Sequence, residues 1–322
     1  MDALSDLLRS VRLKGGIFLE ARMTAPWSIY SQVTEEECRP FFDRPSRIIS
    51  YHYIVSGEMQ VGVVDGPLAP VRAGEIVMLP RNETHVMASA AGLPPVRTDA
   101  FIEAGERGST ARLVMGGGGA LTQIVCGFLA TDEVYNPLIE ALPSMLTVDV
   151  RECATREWID ASMRFAAAEM MHGRRASSEI VSRLSELLFA EGIRQYLETR
   201  EADDAIWLKG LRDPQVGKAL ALMHRDMTVS WSAEELAAEV AMSRSAFMDR
   251  FTTLVGIPPI RYLTQWRLRT ARHRLREQHI SVGQLAHDVG YESEEAFSRA
   301  FKREFGVSPG RWRDEPDAAA VA

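Results

Sequence analysis

Two groups of residues in this 322-residue chain could do chemistry. The first is His52, His85 and Cys126 in the front part, imidazole and thiol groups of the kind that ligate a transition metal or line a pocket for a small molecule. A catalytic metal centre needs three protein ligands and an open position. His52 and His85 supply two, and Cys126 or an acid would have to supply the third. The same histidines also suit a plain pocket wall, with Trp27 as a further candidate for an effector pocket. The second group lies near the end of the chain. Arg299 can fork onto a guanine's O6 and N7, and Glu294 or Glu295 can accept from a cytosine N4. Arg244, Arg250, Lys302 and Arg303 suit phosphate contacts, which set register rather than sequence. Six arginines (261, 267, 269, 272, 274 and 276) fall within one short stretch that holds no acid. Among these, Arg272 and Arg276 are expected to add phosphate affinity.

The elements that must position the second group form an internal repeat. Ser232, Leu236, Ala237 and Val240 recur as Ser281, Leu285, Ala286 and Val289. Ala246, Phe247, Phe251, Gly256, Pro259 and Arg261 recur one residue further offset, as Ala296, Phe297, Phe301, Gly306, Pro309 and Arg311. Ser232 with Glu235, and Ser281 with Gln284, read as capping boxes that open a helix. Each first helix breaks at Ala241-Met242 or Gly290-Tyr291. Each second helix then carries phenylalanines at i, i+4 and stops at a glycine suited to the left-handed C′ position. Helix, tight turn, helix is the helix-turn-helix unit. The connector, from about Pro259 to Glu277, is predicted to be a helix with Leu263, Trp266 and Leu275 buried. It would be about 28 Å long at 1.5 Å per residue, close to the roughly 34 Å between successive major grooves on one side of B-DNA. Phe247, Phe251, Phe297, Phe301, Trp266 and Trp312 are expected in the core rather than stacked on bases.

Residues 1–150 carry short runs of β-formers between turn signals, such as IFLEARM, WSIYSQV, RIISYHYIV and LTQIVCGFL. They predict a sandwich or small barrel after a short amphipathic helix of Leu4, Leu7, Leu8 and Val11. Gly116–Gly119 lacks the Gly-Lys-Ser/Thr ending of a phosphate cradle, and a flexible tip or lid is expected there instead. Cys126 falls in an apolar strand, as an inert small hydrophobe or as an oxidant sensor. Two further helical patterns, Thr155–Met171 and Ser177–Leu197, follow. The second has an apolar stripe of Ile180, Leu184, Leu187, Leu188 and Tyr196, suited to packing on the barrel or to a dimer seam.

The stretches MSRSAFMDRFTTLVGIPPIRYL and GYESEEAFSRAFKREFGVSPGRWR resemble the DNA-binding domain of the AraC/XylS family of transcription regulators. That resemblance implies recognition helices at about Ser243–Val255 and Ser293–Phe305. The first would present Ser245, Met248 and Asp249 to the groove, and the second Glu294, Glu295 and Arg299. Asp249 departs from the basic or amide residue of many relatives and weakens the first helix as a reader. The segment GEIVMLPRNETH resembles the second cupin motif, with Asn82 where glycine is usual; the first cupin motif lacks its His-x-His, and Ser50 stands at its Glu position. The front half resembles the cupin-type sensor domain of one subgroup of these regulators.

Composition agrees with this division. A length near 150 residues per domain gives about two domains. The net charge of −7 argues against a wholesale polyanion binder. Yet residues 1–212 hold 22 Lys+Arg against 29 Asp+Glu, while 213–316 hold 15 against 14. No apolar run reaches bilayer length, and no secretion signal is expected from the acidic, core-less stretch MDALSDLLRS. Three scattered cysteines fit a reducing cytoplasm. The expected fold is α+β: an N-terminal cupin-like β-barrel (1–150), a helical linker or dimerisation region (151–212), an all-α DNA-binding domain with two helix-turn-helix units (213–316) and a tail (317–322). The expected protein is a cytoplasmic, non-enzymatic regulator of transcription. Its partners would be double-stranded DNA, a small-molecule effector or possible divalent metal in the barrel, a second copy of itself and, for an activator, RNA polymerase; no membrane is expected. The alternative is a metal-dependent cupin enzyme with an accessory helical domain.

Overall fold

The computed structural model describes residues 13–39, 45–98, 101–103, 111–131, 136–150, 161–162, 177–198, 206–277 and 280–314. The N-terminal amphipathic segment, most of the 155–171 pattern, Cys153 and the tail lie outside them. The chain forms two compact units, one of Arg12–Asp132 with Pro137–Thr199, the other containing Arg200–Ala322.

The first unit is built on two sheets. Strands β1 (Lys14–Thr24), β3 (Arg47–Ser56), β6 (Glu75–Leu79), β8 (Ile102–Glu103), β9 (Ala111–Gly116), β10 (Leu121–Thr131) and β11 (Leu146–Asp149) form a seven-stranded sheet in the order β11-β6-β3-β10-β1-β9-β8. Strands β2 (Ser28–Ser31), β4 (Glu58–Val63), β5 (Ala69–Arg72) and β7 (His85–Ala88) form the second, in the order β2-β7-β4-β5. Short helices α1 (Glu35–Cys38) and α2 (Pro137–Ala141) lie in the connections. The central strands β3 and β10 are buried on both faces, so they read as near-continuous apolar runs rather than as alternation. Leu19, Ala21, Ile54, Val61, Met87, Leu113 and Cys126 share the core between the sheets.

Helix α3 (Ser177–Glu198) covers the outer face of the large sheet. Ser182 Oγ accepts from Gly15 N, and Tyr51 and Ser185 share a buried hydroxyl–hydroxyl hydrogen bond. A side chain at Gly15 would meet Ser185, and one at Gly192 would meet Val148 and Met78, so the helix lies close against the strands. Leu184 and Leu188 of the apolar stripe are therefore buried within the chain, and Leu187 alone among the stripe's leucines is exposed. The stripe packs on the barrel, one of the two uses expected of it.

The second unit is helical: α4 (Ile206–Arg212), α5 (Pro214–Arg225), α6 (Ala233–Glu239), α7 (Arg244–Val255), α8 (Pro259–Glu277), α9 (Val282–Asp288), α10 (Glu294–Phe305) and α11 (Pro309–Asp314). It holds two cores strung along α8. Phe247, Phe251, Leu263 and Trp266 belong to the first, and Leu268, Leu275, Phe297 and Phe301 to the second. Helix α4 packs on α7 through Gly210, where a Cβ would lie 2.9 Å from Val255. Residues 206–212, grouped by sequence with the linker, thus pack with the helices of the second unit.

Candidate nucleic-acid interface and barrel pocket

Each recognition helix is opened and closed by local chemistry. Ser243 caps α7 by accepting from Ala246 N, and Ser293 caps α10 by accepting from Ala296 N. Gly256 (φ +85) and Gly306 (φ +79) end them in the left-handed conformation. The helices before them differ in one respect. Ser232 and Glu235 complete a reciprocal capping box. Ser281 caps α9, but Gln284 does not return the bond; its amide donates to Asp288 Oδ1 at 2.8 Å. Asp288 also takes Arg274, so an i, i+4 pair competes with the box.

Phe247, Phe251, Phe297 and Phe301 are wholly buried and Trp266 nearly so, leaving them no face for bases. Trp312 is half-buried and donates its indole N–H to Arg272 O. Ser245, Asp249, Glu294, Glu295, Arg299, Lys302 and Arg303 are exposed, and Met248 is half-buried. A hydrogen bond from its own backbone N–H, and then one from the Ser293 side chain, hold the Glu295 carboxyl below its usual range.

Three expected phosphate contacts have partners within the protein. Arg250 donates to Asp213 Oδ2, with Nε at 2.9 Å, and Asp213 also caps α5. Arg244 Nε lies 2.6 Å from Glu234 Oε1. Arg272 sits over the rings of Phe305, at 4.9 Å, and Trp312, at 5.3 Å. Arg250 and Arg272 thus tie helices together, a use that residue type and spacing alone did not reveal. Arg276 lies on α8, with its side chain outside the described residues.

In the barrel the motif is built as its spacing predicts. Asn82 adopts φ +51, a left-handed conformation that asparagine tolerates. Its side chain also grips the backbone of Val33, accepting from the N–H and donating to the carbonyl. This turn aims His85, from the small sheet, at His52, from the large one. Their Nε2 atoms are 2.7 Å apart, and His52 Nδ1 is 3.0 Å from Cys126 Sγ. His85 Nδ1 lies 2.9 Å from Glu83 O. A carbonyl only accepts, so His85 carries its proton on Nδ1 and accepts at Nε2. His52 must then donate from Nε2 and accept the Cys126 S–H at Nδ1. The result is one directed chain of neutral groups. Burial pushes His52 well below the ordinary imidazole range, takes His85 down to about 4 and pushes the Cys126 thiol up.

The three groups do not converge on a point. Cys126 and His85 bond to opposite nitrogens of His52, so they cannot share one ion in this arrangement. Among the described residues no cluster of three or more His, Cys, Asp or Glu could hold a metal. A metal centre of the usual three-ligand kind does not fit these residues.

Beside Cys126 opens a cavity of about 530 Å³. Its apolar wall includes Phe18, Leu19, Ile29, Met87 and Leu113, and its polar residues include Gln32, Thr34, Glu36, Glu37 and Arg97. Phe18 is the extra residue of a β-bulge, since Ile17 and Leu19 pair with the adjacent Gly127 and Cys126. Of the four expected pocket residues, Cys126 lines this cavity, and His52 is bonded to that thiol. Trp27 is buried in the core and is not among the lining residues. Gly116–Gly119 is not a free lid: the N–H groups of Gly117 and Gly119 donate to Thr24 O and Ala25 O, and that of Gly118 to Thr24 Oγ1.

The site and fold together define a DNA-binding regulator with a barrel domain and a double helix-turn-helix. Comparisons with known proteins agree. Residues 2–198 match a cupin family model, and residues 236–315 a helix-turn-helix domain. An AraC-like transcription regulator of Streptomyces lividans is 31% identical over 98% of this chain and 99% of its own. The HTH-type transcriptional regulator AlkR of Acinetobacter baylyi is 28% identical over 98% and 100%. The RCS-specific HTH-type transcriptional activator RclR of Escherichia coli is 25% identical over 98% and 98%. This chain belongs to the AraC-like transcription regulators that carry an N-terminal cupin domain. It is a DNA-binding regulator, and the alternative of a cupin enzyme is not favoured.

Proposed function

We propose that a small amphipathic molecule entering the barrel cavity controls DNA binding by the double helix-turn-helix. The carrying observation is the cavity of about 530 Å³, walled by both apolar and polar residues and lined by Cys126, the first group of the Cys126–His52–His85 chain. Occupancy or a redox change at Cys126 would alter that chain and favour one arrangement of the protein over another. A ligand shifts such an equilibrium only through its different affinity for the two states. The barrel acts as a sensor and not as an enzyme; no helix among the described residues is long and apolar enough to cross a membrane, which suits a cytoplasmic site of action. A homodimer and, for activation, contact with RNA polymerase complete the reading.

On the DNA, Arg299, Glu294 and Glu295 specify bases, with Ser245, Met248 and Asp249 the weaker reader. Lys302, Arg303 and Arg276 supply phosphate contacts, helped by Arg244 where DNA displaces Glu234. A gel-shift titration of the full chain on its own upstream DNA, with and without candidate effectors, tests both parts. Leu113→Trp, which fills the cavity, should abolish the response to effector while leaving effector-free DNA affinity within about twofold. Response surviving in Leu113→Trp would place the effector elsewhere, and binding with no sequence preference or salt dependence would remove the regulator reading itself.

A further inference from the structure

Two recognition helices on one rod reach one duplex only if their separation and twist match the grooves. The two cores are nearly independent, and Met227 packs against both. Met227 begins the loop between α5 and α6, in the first half. That loop is stiffened by Asp226, which accepts from Thr228 N and Oγ1. Arg267, midway along α8, reaches into it. Its Nε donates to Met227 O at 2.6 Å, and its Nη2 donates to Val229 O at 2.8 Å.

The second half closes on the same place. Gly290, in the turn between α9 and α10, has φ +83. A Cβ there would lie 2.7 Å from Met227 O, 2.9 Å from Arg267 Nη2 and 2.9 Å from Thr228 Cα. The equivalent turn of the first copy is made by Ala241 at φ +55. The turn conformation alone therefore does not demand glycine; the close approach to the Arg267 clamp does. On the same helix, Gln265 Nε2 donates to Glu304 Oε1 of α10 at 3.1 Å.

We propose that Arg267, seated against Gly290, is a positioning residue that fixes the spacing and helical phase of the two recognition helices. Unlike a phosphate contact, it works with its donors turned inward on backbone carbonyls of the first half while the turn of the second half rests on it. This rests on the reading that both halves engage one duplex.

The test uses the full chain and bipartite sites selected by the wild type from a random duplex library. Affinity is then measured for the selected site, for the same site with one base pair inserted between its halves, and for a single half-site. One base pair turns the second half-site by about 34°. Losing simultaneous engagement removes the avidity of the pair, so the wild type should lose about tenfold or more on the insertion. Arg267→Ala should bind the selected site about tenfold more weakly, keep half-site affinity within about twofold, and show only a few-fold insertion penalty. Arg267→Lys keeps the charge but cannot fork onto two carbonyls, and should behave like Arg267→Ala. Gly290→Ala, which wedges a methyl between the second half and the clamp while leaving Arg267 itself in place, should also relax the spacing, and it carries the test if Arg267→Ala does not fold. An undiminished insertion penalty in these variants overturns the proposal. So does an equal loss on half-sites and bipartite sites with a shallower salt dependence, which would mark Arg267 as a phosphate contact. A wild-type footprint confined to one half-site would instead overturn the bipartite reading on which the proposal stands.

Discussion

At the residue scale, the arginines divide by what their guanidinium groups already hold. Arg299 is exposed on α10, whereas Arg250 is spent on Asp213 and Arg272 on two rings. A bidentate arginine–guanine contact discriminates by about 1–3 kcal/mol. Arg299→Ala should therefore flatten the preference at one base position by that amount while changing nonspecific binding little, as measured by competition between sequence variants of the site. Arg250→Ala should leave the salt dependence of binding unchanged and loosen the contact between α5 and α7, seen as faster amide exchange at the start of α5. A reduced salt slope in Arg250→Ala would instead mark it as a phosphate contact.

At the element scale, the two turns make opposite predictions from one conformation. Ala241 holds a left-handed backbone that costs a residue with a Cβ about 1–2 kcal/mol. Glycine relieves this but loses more chain entropy, so Ala241→Gly should stabilise the helical unit by roughly 0.5–1 kcal/mol, read from urea unfolding. Gly290→Ala should destabilise it, because the added methyl meets backbone atoms as well as a strained φ. Caps have a similar reach: Ser293→Ala should cost about 1 kcal/mol and, by fraying the first turn of α10, weaken base discrimination by Glu294 and Glu295. An α10 start with unchanged amide exchange in Ser293→Ala would show that tertiary packing alone holds it.

At the scale of the whole molecule, each unit buries neutral histidine. His85 is held down to about 4 and His224, stacked on Trp266 and bonded to the Tyr262 hydroxyl, to about 3, both by burial. In the unfolded chain these rings take up protons near pH 6.5. Their folded-state pKa values are depressed, so their contribution is complete above about pH 6.5 and is lost as pH falls toward 4 and 3. For His85 the loss amounts to roughly 3 kcal/mol across that window. The urea midpoint should therefore fall between pH 7 and pH 5; a midpoint that holds or rises on acidification would show that these rings are charged in the folded protein.

The sequence by itself determined the paired helix-turn-helix units, the rod between them and the turn that delivers His85. Those features follow from contacts three to five residues apart: serine caps, i, i+4 phenylalanines, glycines and Asn82 at left-handed positions, each legible as type and spacing. It could not show that Arg250 and Arg272 are engaged, that the apolar stripe of α3 covers the barrel, that Trp27 misses the cavity, or that Cys126, His52 and His85 stand in line rather than around a metal. Only the tertiary structure decided these, because each depends on partners tens of residues away brought together by strand register and helix packing, and a charge or a ring in a sequence carries no mark of the neighbour that will claim it.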